Sequence, residues 1–249
     1  MENIIFGIRP LLEALQSGER PEKILLQQGL HGENFQDLFQ IIRNEKVPFQ
    51  MVPPEKLNRI TKKNHQGVIA YISGFSYTTL HQVLPKIYEQ GEMPLLMIVD
   101  RVTDVRNLGA IARSAECFGA HALVLPEKGS APVNADAIKT SAGALSKLPV
   151  CREPNLLEAI AFLKESGVLV VAATEKASKP LNNVLLSGPV AFVMGSEDKG
   201  LSKAILTMAD ETAFIPVNGT ISSLNVSVAA GIFLYEARRQ RKSKHQHRK

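Results

Sequence analysis

Short apolar runs, separated by amphipathic stretches, dominate the last two thirds of the chain. "LLMIV" (95–99), "ALVL" (122–125), "VLVVAA" (168–173), "AFVM" (191–194) and "AFIPV" (213–217) are continuous rather than alternating. Between them lie helix-like segments such as "NLGAIARSAECFG" and "NLLEAIAFLKESG". Continuous strands interleaved with helices predict a mainly parallel sheet covered on both faces, and hence an α/β domain. The first 75 residues carry a smaller α/β pattern. "KILLQQ" predicts a strand, "ENFQDLFQIIRNEK" a helix with apolar positions at i, i+3 and i+4, and "PFQMV" another strand; "HQGVIAYIS" closes the unit. "FSYTTLHQVLPKIYEQGEM" is more polar, carries a short helix and reads as a connector. The predicted organisation is a small domain over 1–75, a linker over 76–92, the larger domain over 93–241 and a basic tail over 242–249.

Three polar, glycine-bearing segments each follow one of the predicted strands: "DRVTDVRNLGAIAR", "GSEDKGLS" and "NGTISSLN". In a parallel sheet the carboxyl ends of the strands share one edge, and ligands bind there. Asn107, Arg113, Gly195, Glu197, Ser223 and Asn225 are therefore expected to converge, although they are far apart in sequence.

Composition narrows the classes. With 45% hydrophobic residues in 249, a substantial core is available, and no apolar run approaches the ~18 residues of a membrane span. The opening "MENIIFGIRP" lacks a secretory pattern, so the expected compartment is the cytoplasm. Cys117 and Cys151 form neither a metal-ligand spacing nor a disulfide framework and read as reduced thiols. Formal net charge is +5, yet Arg238–Lys249 alone holds seven Lys/Arg and no acid, which leaves the remainder slightly acidic. Such a tail either neutralises phosphates of a nucleic acid or is a solvated helix end.

Several chemistries lose support. No segment matches a dinucleotide fingerprint or a P-loop, and "GSEDKG" has the wrong spacing for either. No His/Cys/carboxylate cluster suggests a metal, and no nucleophile, base and orienter trio suggests acyl transfer. What remains is a site of backbone donors, amides and hydroxyls with one arginine and one glutamate.

The three segments resemble motifs 1, 2 and 3 of the SpoU class of SPOUT RNA ribose 2′-O-methyltransferases. "NLGAIARSAECFGA", "FVMGSEDKGLS" and "IPVNGTISSLNVSVAAG" occur in the family's order and spacing. "IFGIRPLLEAL" and "HQGVIAYI" are similar to the N-terminal RNA-binding domain of many members. Within the class, "SSLNVS" is most similar to enzymes that methylate guanosine in large-subunit (23S) rRNA. The tRNA enzymes, and a non-catalytic RNA-binding or ribosome-assembly factor, are the alternatives. The resemblance implies a deep trefoil knot in the C-terminal domain, S-adenosylmethionine held in it, an RNA substrate and a homodimer with the site at the subunit interface. Such a knot is something pattern reading would never draw. Val226–Tyr235 is apolar nearly all round a helix, which must be covered on every side, by its own subunit or by a second.

The resemblance also distributes roles. Arg113 would stay charged, grip an RNA phosphate and lower the cost of negative charge on the 2′-oxygen. Asn107 would shape the site, and by its position would also cap the helix that follows. Glu197 would order that arginine or the surrounding loops. Gly195, Ile215 and Leu224 would meet the cofactor through their backbones, with Gly200 as a close-approach or turn position. Ser222 or Ser223 would cap the helix beginning near Val226, leaving Asn225 and the remaining hydroxyl to face the site. Two positions depart from the pattern: Val105 replaces a common proline, and Asp198 a frequent glycine.

Overall fold

The computed structural model describes residues 3–16, 21–45, 47–72, 75–196, 199–220 and 223–246. The chain divides into two units, Met1–Ser76 and Tyr77–Lys249.

The first unit runs β1 (Asn3–Phe6), α1 (Ile8–Gln16), β2 (Pro21–Gln27), α2 (Glu33–Asn44), β3 (Phe49–Val52), α3 (Pro54–Ile60) and β4 (Val68–Ile72). Its mixed sheet has the order β1-β4-β2-β3, with β4 antiparallel to both neighbours and β3 parallel to β2. Successive residues of a strand face opposite sides, and β2 uses both. Ile24 and Leu26 pack with Leu11, Leu38 and Ile42 of the two long helices, whereas Leu25 packs with Leu57 of α3 and with Val52 and Ile69.

The second unit continues with α4 (Leu80–Glu89), β5 (Leu95–Val99), α5 (Val105–Cys117), β6 (Ala122–Pro126), α6 (Ala135–Thr140), β7 (Val150–Glu153), α7 (Leu156–Glu165), β8 (Leu169–Ala173), β9 (Val190–Met194), α8 (Lys203–Met208), β10 (Glu211–Ala213) and α9 (Val226–Gln246). All six strands are parallel, in the order β10-β8-β9-β5-β6-β7. β5 and β9 are buried at every position, which is why their sequences show no alternation. Among the described residues, no helix is long and apolar enough to cross a membrane.

Three expectations change. The stretch read as a connector contains α4, whose Leu80, Leu84 and Ile87 are buried in the core of the second unit. The Leu80 amide donates to the buried Glu153 carboxylate at 2.7 Å, and Thr78 pairs with Cys151, so this stretch is part of the domain. The last strand covers only Glu211–Ala213; Phe214 then bridges to Pro180, and Pro216 in "AFIPV" has no N–H to carry the pairing on. The basic end changes at its start: α9 runs to Gln246, and its basic residues are not all solvated. Within it, Arg241 is buried and donates to the carbonyls of Met93, Pro94 and Gly188 at 2.7–2.9 Å. Arg239 grips Glu236 through two bonds of 2.8 and 2.7 Å, so two of the seven cations are already engaged.

Candidate functional site at the carboxyl edge of the parallel sheet

The loops after β5, β9 and β10 lie at the same sheet edge, and the first is tied to both others. Asp100, just past β5, donates its backbone N–H to the Met194 carbonyl at the end of β9, at 2.8 Å. Arg101 then takes a left-handed backbone with φ +56°, a costly conformation for a side chain with a Cβ. That turn lets its guanidinium bond the buried Asp100 carboxylate at 3.0 Å and the Gly200 carbonyl at 3.1 Å. The loop after β9 is itself folded back: Gly200 N–H donates to Ser196 carbonyl at 2.9 Å, with Gly200 at φ +60°.

Gly195 is a glycine for want of space. A Cβ there would lie 2.4 Å from the Gly200 carbonyl carbon and 2.6 Å from the Leu201 nitrogen, both backbone atoms unable to yield cheaply. The two ends of this loop therefore pass backbone against backbone, a close approach within the chain itself.

The third loop meets the first through two amides. Asn225 Nδ2 donates to Asn107 Oδ1 at 3.0 Å. Its own Oδ1 accepts from the Ser227 N–H at 2.9 Å and the Ser227 hydroxyl at 2.6 Å, while its carbonyl starts the α9 ladder at Ala229. Asn225 is thus the cap of α9, in place of the serines expected; Ser223 is exposed two residues earlier, and Ser222 lies outside the described residues. A similar shift applies to α5. Its cap is Asp104, which accepts from the Arg106 N–H at 2.7 Å, and Asn107 sits one turn in, its amide spent on Asn225 instead. The Arg106 N–H, and secondarily its charge, hold the Asp104 carboxyl below the usual carboxylate range. Val105 occupies the first helical position, where proline is also favoured, so the departure there leaves the turn intact.

Arg113 stands apart from this set within one chain. It is exposed, and six residues beyond Asn107 place it about 9 Å farther along α5 and roughly 240° round its axis. Among the described residues its side chain has no hydrogen bond or ion pair. Glu197 lies outside the described residues.

Leu224 and Val217, in the segment before α9, are large apolar residues left 39% and 41% exposed. Among the described residues, the backbone amides of Gly195, Ile215 and Leu224 donate to no other group. Sequence reasoning missed Arg101, whose role depends on a backbone angle that no residue pattern announces. It also missed Asp104, one capping residue among several in "TDVRN".

The carboxyl edge of the parallel α/β sheet gathers three loops, the first tied to both others, which is where ligands of such sheets bind. Residues 94–235 match the SpoU rRNA Methylase family, and residues 4–78 match the family described as RNA 2'-O ribose methyltransferase substrate binding. The chain belongs to the SpoU rRNA methylase family. It is 36% identical over 246 residues to the 23S rRNA (guanosine-2'-O-)-methyltransferase RlmB of Photorhabdus laumondii subsp. laumondii, covering 98% of this chain and 100% of that one. It is 31% identical over 237 residues to the putative TrmH family tRNA/rRNA methyltransferase YacO of Bacillus subtilis (strain 168), covering 95% of each. Among solved structures, the SpoU methyltransferase AviRb from Streptomyces viridochromogenes, in complex with the cofactor AdoMet, aligns with a TM-score of 0.62 at 27% identity. That alignment covers 97% of this chain and 91% of AviRb. Relatives of both the rRNA and the mixed tRNA/rRNA description thus match at similar identity, so the kinship stops at the family.

Proposed function

We propose that this protein methylates the 2′-hydroxyl of a ribose in RNA, using S-adenosylmethionine, and that the target is a guanosine of 23S rRNA. The observation that carries the reading is the meeting of the three motif loops through Asn107–Asn225 and Arg101–Gly200. The cofactor fits the residues present: main-chain groups of Gly195, Ile215 and Leu224 suit adenine and methionine, and exposed Leu224 and Val217 offer apolar cover. When bound, S-adenosylmethionine supplies an electrophilic methyl group on a positively charged sulfur.

The protein's own work is placement and charge. Arg113 cannot serve as a base, since a guanidinium keeps its proton at any physiological pH. It holds a phosphate beside the target ribose and stabilises the oxygen as it gains negative charge, where a fixed cation contributes most. Asn107 and Asn225 hold the first and third loops in register, and Glu197 steadies the arginine.

A homodimer completes the set. Val228, Ile232 and Tyr235 form one stripe of α9 at i, i+4 and i+7, with Val228 and Tyr235 50% and 54% exposed. A second copy covering that stripe would also bring its Arg113 toward amides that one chain's own Arg113 does not face. The C-terminal domain is knotted in this reading, the third loop and α9 passing through the chain, and the enzyme works in the cytoplasm.

The test supplies labelled S-adenosylmethionine with unmodified 23S rRNA and, separately, unmodified tRNA. Label at the ribose of one guanosine in 23S rRNA is the expected result. Label in tRNA alone would move the substrate, as the tRNA/rRNA description of YacO allows. Cofactor binding with no transfer to either RNA would make the protein a binding factor.

A further inference from the structure

A cleft of about 870 Å³ opens next to Asn107, lined by Thr103, Asp104, Val105 and Arg106 on one side and by Asp136, Lys139 and Thr140 of α6 on the other. Asn107, Arg113, Gly195, Gly200, Ile215, Leu224 and Asn225 are not among its lining residues. Its walls are fixed. Asp104 caps α5, Asn134 caps α6 by accepting from the Ala137 N–H at 3.0 Å, and the two helices touch at Gly109. A Cβ at Gly109 would fall 2.8 Å from Thr140 Cβ and 2.9 Å from the Ala137 carbonyl, so only glycine lets α6 approach this closely.

The charges say what kind of ligand suits it. Two cations and two carboxylates cancel, so the cleft offers no net attraction to a run of phosphates. It offers acceptors and donors side by side, as the edge of a nucleobase does. Asp136 and Lys139 stand at i and i+3, one above the other on the same face of α6. Both are exposed, and among the described residues neither side chain has a hydrogen bond or ion pair. A carboxylate accepts from two donors at once, and guanine is the one standard base with two adjacent donors, N1–H and the 2-amino group. On adenine, cytosine and uracil the donor has at least one acceptor beside it, which a carboxylate repels. Guanine O6 lies next to N1–H, on the side where an ammonium one turn along can donate.

We propose that this cleft is a guanine subsite for the RNA, with Asp136 accepting from N1–H and the 2-amino group, and Lys139, assisted by Arg106, donating to O6. The inference rests on the proposed function in taking RNA as the partner, and it assigns base choice to residues to which the sequence reading gave no role.

The full-length chain is titrated with GMP, IMP, AMP, CMP and UMP while backbone amide signals are followed by NMR. GMP is expected to shift Arg106, Lys139 and Thr140 at about tenfold lower concentration than AMP, CMP or UMP, the discrimination a bidentate base contact supplies. IMP, which lacks the 2-amino group, is expected to fall between. Asp136→Asn should erase the preference for GMP, and Lys139→Ala should weaken GMP several-fold while keeping part of it. Unchanged signals elsewhere in both variants report that the fold is retained. Equal response to all five nucleotides, shifts confined to other surfaces, or a preference surviving Asp136→Asn would each overturn the proposal. Binding of S-adenosylmethionine, measured separately by calorimetry, keeps the two readings distinct. Its loss in the wild type would strike the methyltransferase reading and leave a GMP-selective cleft standing.

Discussion

At its carboxyl end, α9 is bolted to the amino edge of the parallel sheet. Gln240 donates to the Val184 carbonyl and accepts from the Leu186 N–H, and Arg241 satisfies three carbonyls in a buried position. At its amino end the same helix meets the opposite edge, where Asn225 caps it and links it to Asn107. Leu224 and Ser223 are exposed there, and among the described residues the backbone amides of Gly195, Ile215 and Leu224 donate to no other group. One helix thus ends where its polar side chains bond mostly to buried main chain, although the buried Arg241 Nε has no partner among the described residues, and begins where several groups are exposed. Burial of that arginine pushes its pKa down, against the strong preference of a guanidinium for its charge. Only well-placed acceptors make such burial tolerable.

The contrast can be broken most severely at Arg241. Arg241→Ala leaves three carbonyls without their donor and should lower unfolding free energy by about 3 kcal/mol or more in urea denaturation. Arg241→Lys, with charge but no planar fork, should fall between. At the open edge the largest effect is on rate. Arg113→Lys should lower turnover about 100-fold while stability stays within about 0.5 kcal/mol, because the side chain is exposed. Gly195→Ala should cost about 1–3 kcal/mol and weaken S-adenosylmethionine binding in calorimetry, since the new Cβ must push the Gly200–Leu201 backbone aside.

Smaller changes sharpen the comparison within the open edge. Asn225→Ala removes a helix cap and should cost about 1 kcal/mol in thermal denaturation, whereas Asn107→Ala should cost less while still lowering activity. The last effect is one of pH. The Asp104 carboxyl is depressed on folding, so its contribution to the start of α5 is fully present above its unfolded value of about 4. That contribution should fade as pH falls through the depressed value, a trend that carboxyl NMR titration follows directly, and Asp104→Asn should remove it.

The parallel sheet was legible because its strands are buried on both faces and therefore continuous. β7 escaped notice, since "VCRE" mixes charge into four residues at the edge of the sheet. The convergence of the three loops followed from topology alone: parallel strands put successive carboxyl ends together. Which residue caps which helix did not follow. "TDVRN" and "SSLN" each hold two or more capping side chains within a turn, and only the backbone path selects among them. Arg241 was misread for a related reason. A run of basic residues is usually solvated, and nothing in the run itself shows that three carbonyls await one member. Arg101 is the hardest case, because its left-handed backbone and its reach to Gly200 exist only in the folded chain.

The central claim is that distant loops meet to hold a methyl donor opposite an RNA sugar, with Arg113 brought beside it by a second subunit. A crystal structure of the protein with S-adenosylmethionine tests this most directly. The account predicts adenosine lying on the main chain of Gly195, Ile215 and Leu224, and a partner Arg113 guanidinium opening onto the methyl group. Cofactor bound elsewhere, or both Arg113 side chains remote from the methyl group in the assembled protein, would contradict it.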